Sequence, residues 1–111
     1  MKLPEEVKVA CFNIEIKHWD TKTATVRHCF GEFSPDELII RIDTTQKPQR
    51  IIETLIHEIT HAIYSLYNVK DEDKEERIVS SMSRGWLQVY QDNPEIMSLL
   101  HSHTNTQKHL L

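Results

Sequence analysis

The stretch PQRIIETLIHEITHAIYSLY, residues 48–67, decides how this chain folds. Its apolar residues, Ile51, Ile52, Leu55, Ile56, Ile59, Ala62, Ile63 and Leu66, recur three and four apart, the period of a helix with one face turned to a core. Pro48 suits the first turn, where its missing N–H costs nothing, and Thr44 and Thr45 precede it as turn or capping residues. Inside the helix lies His57-Glu58-Ile59-Thr60-His61, an H-E-x-x-H box. Positions i and i+4 stack on one helix face, so His57 and His61 can grip one metal ion from a rigid support. Glu58 follows His57 directly and is placed to act on a metal-activated water rather than to bind the metal. That division of roles is what a zinc hydrolase requires.

The residues on either side set the fold class. The half before the box reads as β. Val7 to Trp19 alternates through Val7, Val9 and Cys11 and then, after a phase slip, through Ile14 and Ile16, as a strand with a bulge or bend near Asn13 would. Asp20-Thr21-Lys22 reads as a tight turn, and Thr23 to Phe30, rich in β-branched residues, as a second strand. Residues 31–36 read as a loop. Glu37 to Asp43 reads as a third strand, with Leu38, Ile40 and Ile42 on one face and Ile39 on the other; its edge could take an extended peptide as an added strand. The half after the box is helical. A polar link from Asn68 to Lys74 leads to a helix over Glu75 to Tyr90, with Ile78, Val79, Met82, Trp86 and Val89 on its apolar side. Asp92 or Asn93 would cap a short third helix from Pro94 to about Leu100. The expected architecture is α+β: a small N-terminal three-stranded sheet, a central box helix and C-terminal helices.

With 111 residues, the chain reads as a single domain over 1–111, its core over about 7–100 and a polar, frayed tail from His101. Such a length buries one modest core. A hydrophobic fraction of 39% and a charged fraction of 27% are ordinary for a water-soluble domain. A net charge of -4 disfavours a general nucleic-acid surface. No apolar run approaches the roughly 18 residues a membrane span needs. The acidic start, Met1-Lys2-Leu3-Pro4-Glu5-Glu6, lacks a secretory apolar region, so a cytoplasmic location is expected. Cys11 and Cys29 have no metal-knuckle spacing and read as buried free thiols, a cross-strand disulfide being the alternative. His18 and His28 would decorate a sheet face, and His101, His103 and His109 would be solvated.

Three runs carry a resemblance: Leu38 through the box to Tyr64, Glu75-Glu76-Arg77-Ile78-Val79, and Gly85-Trp86-Leu87-Gln88-Val89-Tyr90-Gln91-Asp92-Asn93-Pro94. Together, over about residues 36–95, they resemble small phage and bacterial zinc metallopeptidases of the zincin, minigluzincin-like type. The resemblance implies a zincin-like fold, a Zn2+ cofactor and a peptide or protein substrate. It also implies a location in the cytoplasm of a bacterium or of a phage-infected host cell. Peptide bonds would be hydrolysed through a metal-activated water with Glu58 as general base. His57 and His61 would be two metal ligands, and a Glu on the following helix the third. The family pattern, a Glu three before the Val of that helix, selects Glu76. Helical geometry favours the alternative, Glu75, which lies in the apolar stripe of Ile78, Met82 and Trp86, while Glu76 points about 100° away. Ser65 stands where phage-repressor-cleaving metallopeptidases carry a further His, which separates the chain from that group. Glu53 and Thr54, a turn before the box, are candidates to orient a ligand imidazole. Tyr64 and Tyr67 are candidates for a second carbonyl donor.

Two other classes fit the same residues. One is a non-catalytic zinc-binding phage or bacterial regulatory protein that acts by protein–protein interaction. The other is a helical interaction module without metal. Glu58 favours catalysis over the first, because a purely structural site needs no base beside the metal.

Overall fold

The computed structural model describes the backbone of residues 2–19 and 30–109 and the side chains through residue 102. Four strands, β1 (Glu6–Val9), β2 (Phe12–Trp19), β3 (Gly31–Ser34) and β4 (Ile39–Asp43), precede three helices, α1 (Pro48–Leu66), α2 (Glu75–Asp92) and α3 (Pro94–His109). The sheet order is β1-β2-β4-β3. β1 runs antiparallel to β2, β2 parallel to β4, and β3 antiparallel to β4. Among the described residues the fold is therefore α+β with a mixed four-stranded sheet, where the sequence led us to expect three strands in all.

One additional strand comes from the division of the first expected strand in two. The phase slip near Asn13 is a chain reversal, not a bulge. Val7 pairs with Ile14 and Val9 with Phe12 across a two-residue turn, so the buried positions change from odd in β1 to even in β2. Ala10 makes the turn with φ 56°, a left-handed conformation. A second left-handed residue, Leu38 with φ 57°, closes the turn between β3 and β4. It shortens the expected strand Glu37–Asp43 to Ile39–Asp43 and lets Gly31–Ser34, expected as loop, pair as β3. The expected turn at Asp20–Lys22 and strand from Thr23 fall outside the described residues, except Phe30, which is a bend before β3.

One sheet face packs on α1. Ile14 and Ile16 of β2 and Ile40 and Ile42 of β4 meet Ile51, Leu55, Ile59, Ala62 and Ile63 of α1 in a single core. Each large apolar side chain buried there contributes roughly 1.5–3 kcal/mol. β4 is an interior strand, which corrects its reading as a free edge; among the described residues the edge next to it is β3. The other edge, β1, is closed by side chains from α2 and the α2–α3 junction. The Asn93 amide accepts from the Lys8 N–H and donates to the Lys8 carbonyl, and Gln88 accepts from the Ala10 N–H. Asn93 thus spends its side chain on β1 rather than on capping α3. Likewise Thr44 and Thr45 do not cap α1: Asp43 holds the turn by accepting from the Thr45 N–H and hydroxyl, and Lys47 is the N-cap without a side-chain bond.

The later helices differ from expectation mainly in length. α2 reaches Asp92, and α3 continues to His109 rather than stopping near Leu100. Trp86 packs against the core as expected, whereas Val79 is half exposed. Cys11 is an exposed free thiol, not a buried one; Cys29 and His28 lie outside the described residues. No helix among the described residues is long and apolar enough to cross a membrane.

Candidate metal centre

The core-facing stripe of α1 centres on Ile59, so the residues two before and two after it turn outward. These are His57 and His61, and both are exposed. Their Nε2 atoms lie 3.1 Å apart, with ring centroids 4.7 Å apart and planes inclined at 72°. Two ligands at 2.0–2.1 Å from one tetrahedral zinc are about 3.3 Å apart. The pair therefore fits two corners of such a site to within a few tenths of an ångström, on a helix rigid enough to keep them there.

Glu58 lies about 100° around the helix from His57, on the side facing β3. It is only 6% exposed. Burial pushes its carboxyl above the ordinary carboxylate value; His61 and His57 pull it partly back, and the Glu32 charge pushes it up. A carboxylate so placed is a stronger base than one in open water. It forms the floor of a hollow of about 220 Å³ whose other walls include Phe30, Gly31, Thr54 and His57. On the other side of the histidines a cleft of about 470 Å³ is lined by Ile56, Thr60, Tyr64 and, from α2, Met82. Glu53 and His57 border both spaces, so the two form one groove across the box. A larger hollow of about 540 Å³, where Leu3 and Pro4 meet Pro94, Ser98 and Leu99, shares no residue with the box and gathers no histidine or cysteine.

Two of the three expected ligands are thus brought together. Glu75 and Glu76 are exposed in the first turn of α2, where the helix dipole favours acids. Among the described residues no three or more His, Cys, Asp or Glu side chains gather at one point, so neither acid joins the pair in this conformation. Glu75 lies seven residues before Met82 and hence on nearly the same helix face as the cleft wall, with Glu76 about 100° round from it. Thr54 gives its hydroxyl to the Arg50 carbonyl and Glu53 pairs with Arg50, so both are engaged one turn back on α1 rather than with an imidazole. His18 bonds Thr44 through Nδ1, and His101 is exposed. Tyr67 faces away from the groove: its hydroxyl donates to Gln88 and its ring lies against Gly85.

The groove residues not expected from the sequence are Phe30, Gly31 and Met82. Gly31 had a signal. The chain has two glycines, Gly31 and Gly85, and neither has positive φ. Both are sites of close approach to α1. A Cβ on Gly31 would lie 2.6 Å from Thr54 Cγ2 and 3.3 Å from Glu58 Cγ, and one on Gly85 would strike Ile63. Comparison with protein families, with curated proteins and with solved structures finds no match for this chain.

Proposed function

We propose that this chain is a zinc-dependent metallopeptidase of zincin, minigluzincin-like type. The observation that carries the reading is the convergence of His57 Nε2 and His61 Nε2, 3.1 Å apart, beside the buried carboxylate of Glu58. In this reading His57 and His61 hold the ion, with Glu76, or alternatively Glu75, as third ligand. Bound zinc supplies a water of near-neutral pKa and a Lewis acid for the substrate carbonyl. Glu58 takes a proton from the attacking water and passes it to the leaving amine. A peptide lying in the groove would pass between β3 and α2, over the box. β3, an edge strand among the described residues, is the natural partner for it, because an extended chain can complete an edge strand's hydrogen bonds.

Metal analysis by mass spectrometry tests this. About one zinc per chain is expected, lost in His57→Ala and in one of Glu76→Ala and Glu75→Ala. No zinc in protein purified without chelator, and none taken up on addition, removes the reading. Glu58→Gln should keep the metal and lose hydrolysis of an unfolded casein substrate by about a hundredfold or more. A second reading, a non-catalytic zinc protein that acts by protein–protein contact, draws on the half-exposed Val79, Leu87 and Tyr90 of α2. It predicts zinc binding with no casein hydrolysis in the wild type.

A further inference from the structure

A tetrahedral zinc needs four donors, and the box supplies two. His57 Nε2 and His61 Nε2 lie 3.1 Å apart on the exposed face of α1, ready to take two corners. Among the described residues no group of three or more His, Cys, Asp and Glu includes them. The hydroxyls beside them in the cleft are engaged elsewhere. Tyr64 donates to the carboxylate of Asp71, in the link between α1 and α2, and Thr60 donates to the Ile56 carbonyl. Ile56, which lines the same cleft directly before the pair, keeps 39% of its surface exposed. An ion gripped here turns its remaining positions outward, with an apolar side chain beside them.

We propose that zinc joins two copies of this chain through this pair, with His57 and His61 of each copy completing a four-histidine site. A second copy is the occupant the geometry fits, because it brings the same chelating pair. A two-fold axis through the ion then supplies both missing donors at once, and two-fold dimers are the commonest closed oligomers. Opposite edges of a tetrahedron are perpendicular. The Nε2–Nε2 edge joins positions i and i+4 and so runs along α1. The two α1 helices therefore cross at about 90°, which confines the contact to the box and lets the second copy cover Ile56.

This dimer shares the histidine pair with the metallopeptidase reading and rests on it for that pair alone; it needs no third ligand from α2. Four imidazoles close the coordination shell and leave no position for water, so the dimer is a form without hydrolytic activity. Mass action sets which form is present. Half an equivalent of zinc per chain favours the dimer, and excess zinc favours one ion per chain.

Sedimentation velocity of the full chain, with zinc titrated into metal-free protein, tests this. At half an equivalent of zinc the mass should double from 13.1 kDa, and EDTA should return it to that value. His57→Ala and His61→Ala, both at exposed positions, should stay monomeric. The double variant Glu75→Ala/Glu76→Ala should still dimerise at half an equivalent, because no carboxylate takes part. A wild type that binds zinc but stays monomeric at every ratio overturns the dimer and leaves the metallopeptidase reading standing. A dimer that persists in His57→Ala, or that is lost in the double Glu variant, overturns the four-histidine site. A dimer at half an equivalent with casein uncut at excess zinc supports the dimer and removes the peptidase reading. No zinc uptake by the wild type overturns both.

Discussion

Single residues in this protein carry recognisable physical costs and roles. Tyr64 should titrate as a perturbed phenol. Its absorbance change at alkaline pH, isolated by difference against Tyr64→Phe, should centre at about 12 in the wild type and move toward 10 in Asp71→Asn. The sign for stability follows from the raised folded value. The Tyr64–Asp71 contact stabilises the fold fully below pH 10 and ceases to do so as pH rises through about 12. Ala10 offers an opposite case, a residue that costs stability. A left-handed conformation costs an L-residue about 1–2 kcal/mol, which glycine avoids at a smaller entropic loss in the unfolded chain. Ala10→Gly should raise stability in urea by about 0.5–1 kcal/mol, since the backbone N–H that Gln88 holds is unchanged. No gain would mean that the turn relaxes around alanine without strain. The box histidines were legible at this scale because the i, i+4 relation needs only one helix.

At the scale of elements, α1 is the member that everything else touches. The sheet lies on one side, β3 approaches through Gly31, and α2 crosses through Gly85. A methyl group at Gly85 has no room beside Ile63, so Gly85→Ala should cost about 1–3 kcal/mol by pushing α2 outward. Because Met82 rides on α2 and walls the cleft, the same change should reshape the cleft beside His57 and His61. A chemical-denaturation curve unchanged from the wild type would show that α1 and α2 separate at no cost. The helices were legible because their apolar periods are long. The strands were less so. A two-residue turn and a bulge both shift the phase of an alternating pattern, and the residues between Val9 and Ile14 do not say which occurs. The loop-like run Gly31–Ser34 became a strand only because β4 offered it a partner.

For the whole molecule, a ligand that binds the folded chain alone must raise its melting temperature. On the proposed reading, free zinc at a hundred times its Kd adds about 2.7 kcal/mol, or about 10–20 °C for a domain of this size. His57→Ala should remove that response, and a wild type insensitive to zinc would count against the site. The sequence by itself determined the α+β class, the three helices with their approximate starts, and the pair His57 and His61 with Glu58 beside them. These depend on local periods, which one segment carries alone. Only the tertiary structure decided that β4 is interior and, among the described residues, β3 an edge, and that Glu58 is buried against Gly31 while the histidines stay exposed. It also decided that Met82 and Tyr64, from different helices, wall one cleft, and that Asp71 holds the tyrosine. The reason is physical: each of these is a contact between segments far apart along the chain. Such contacts are fixed by which faces can be buried together, and no period within a single segment encodes that choice.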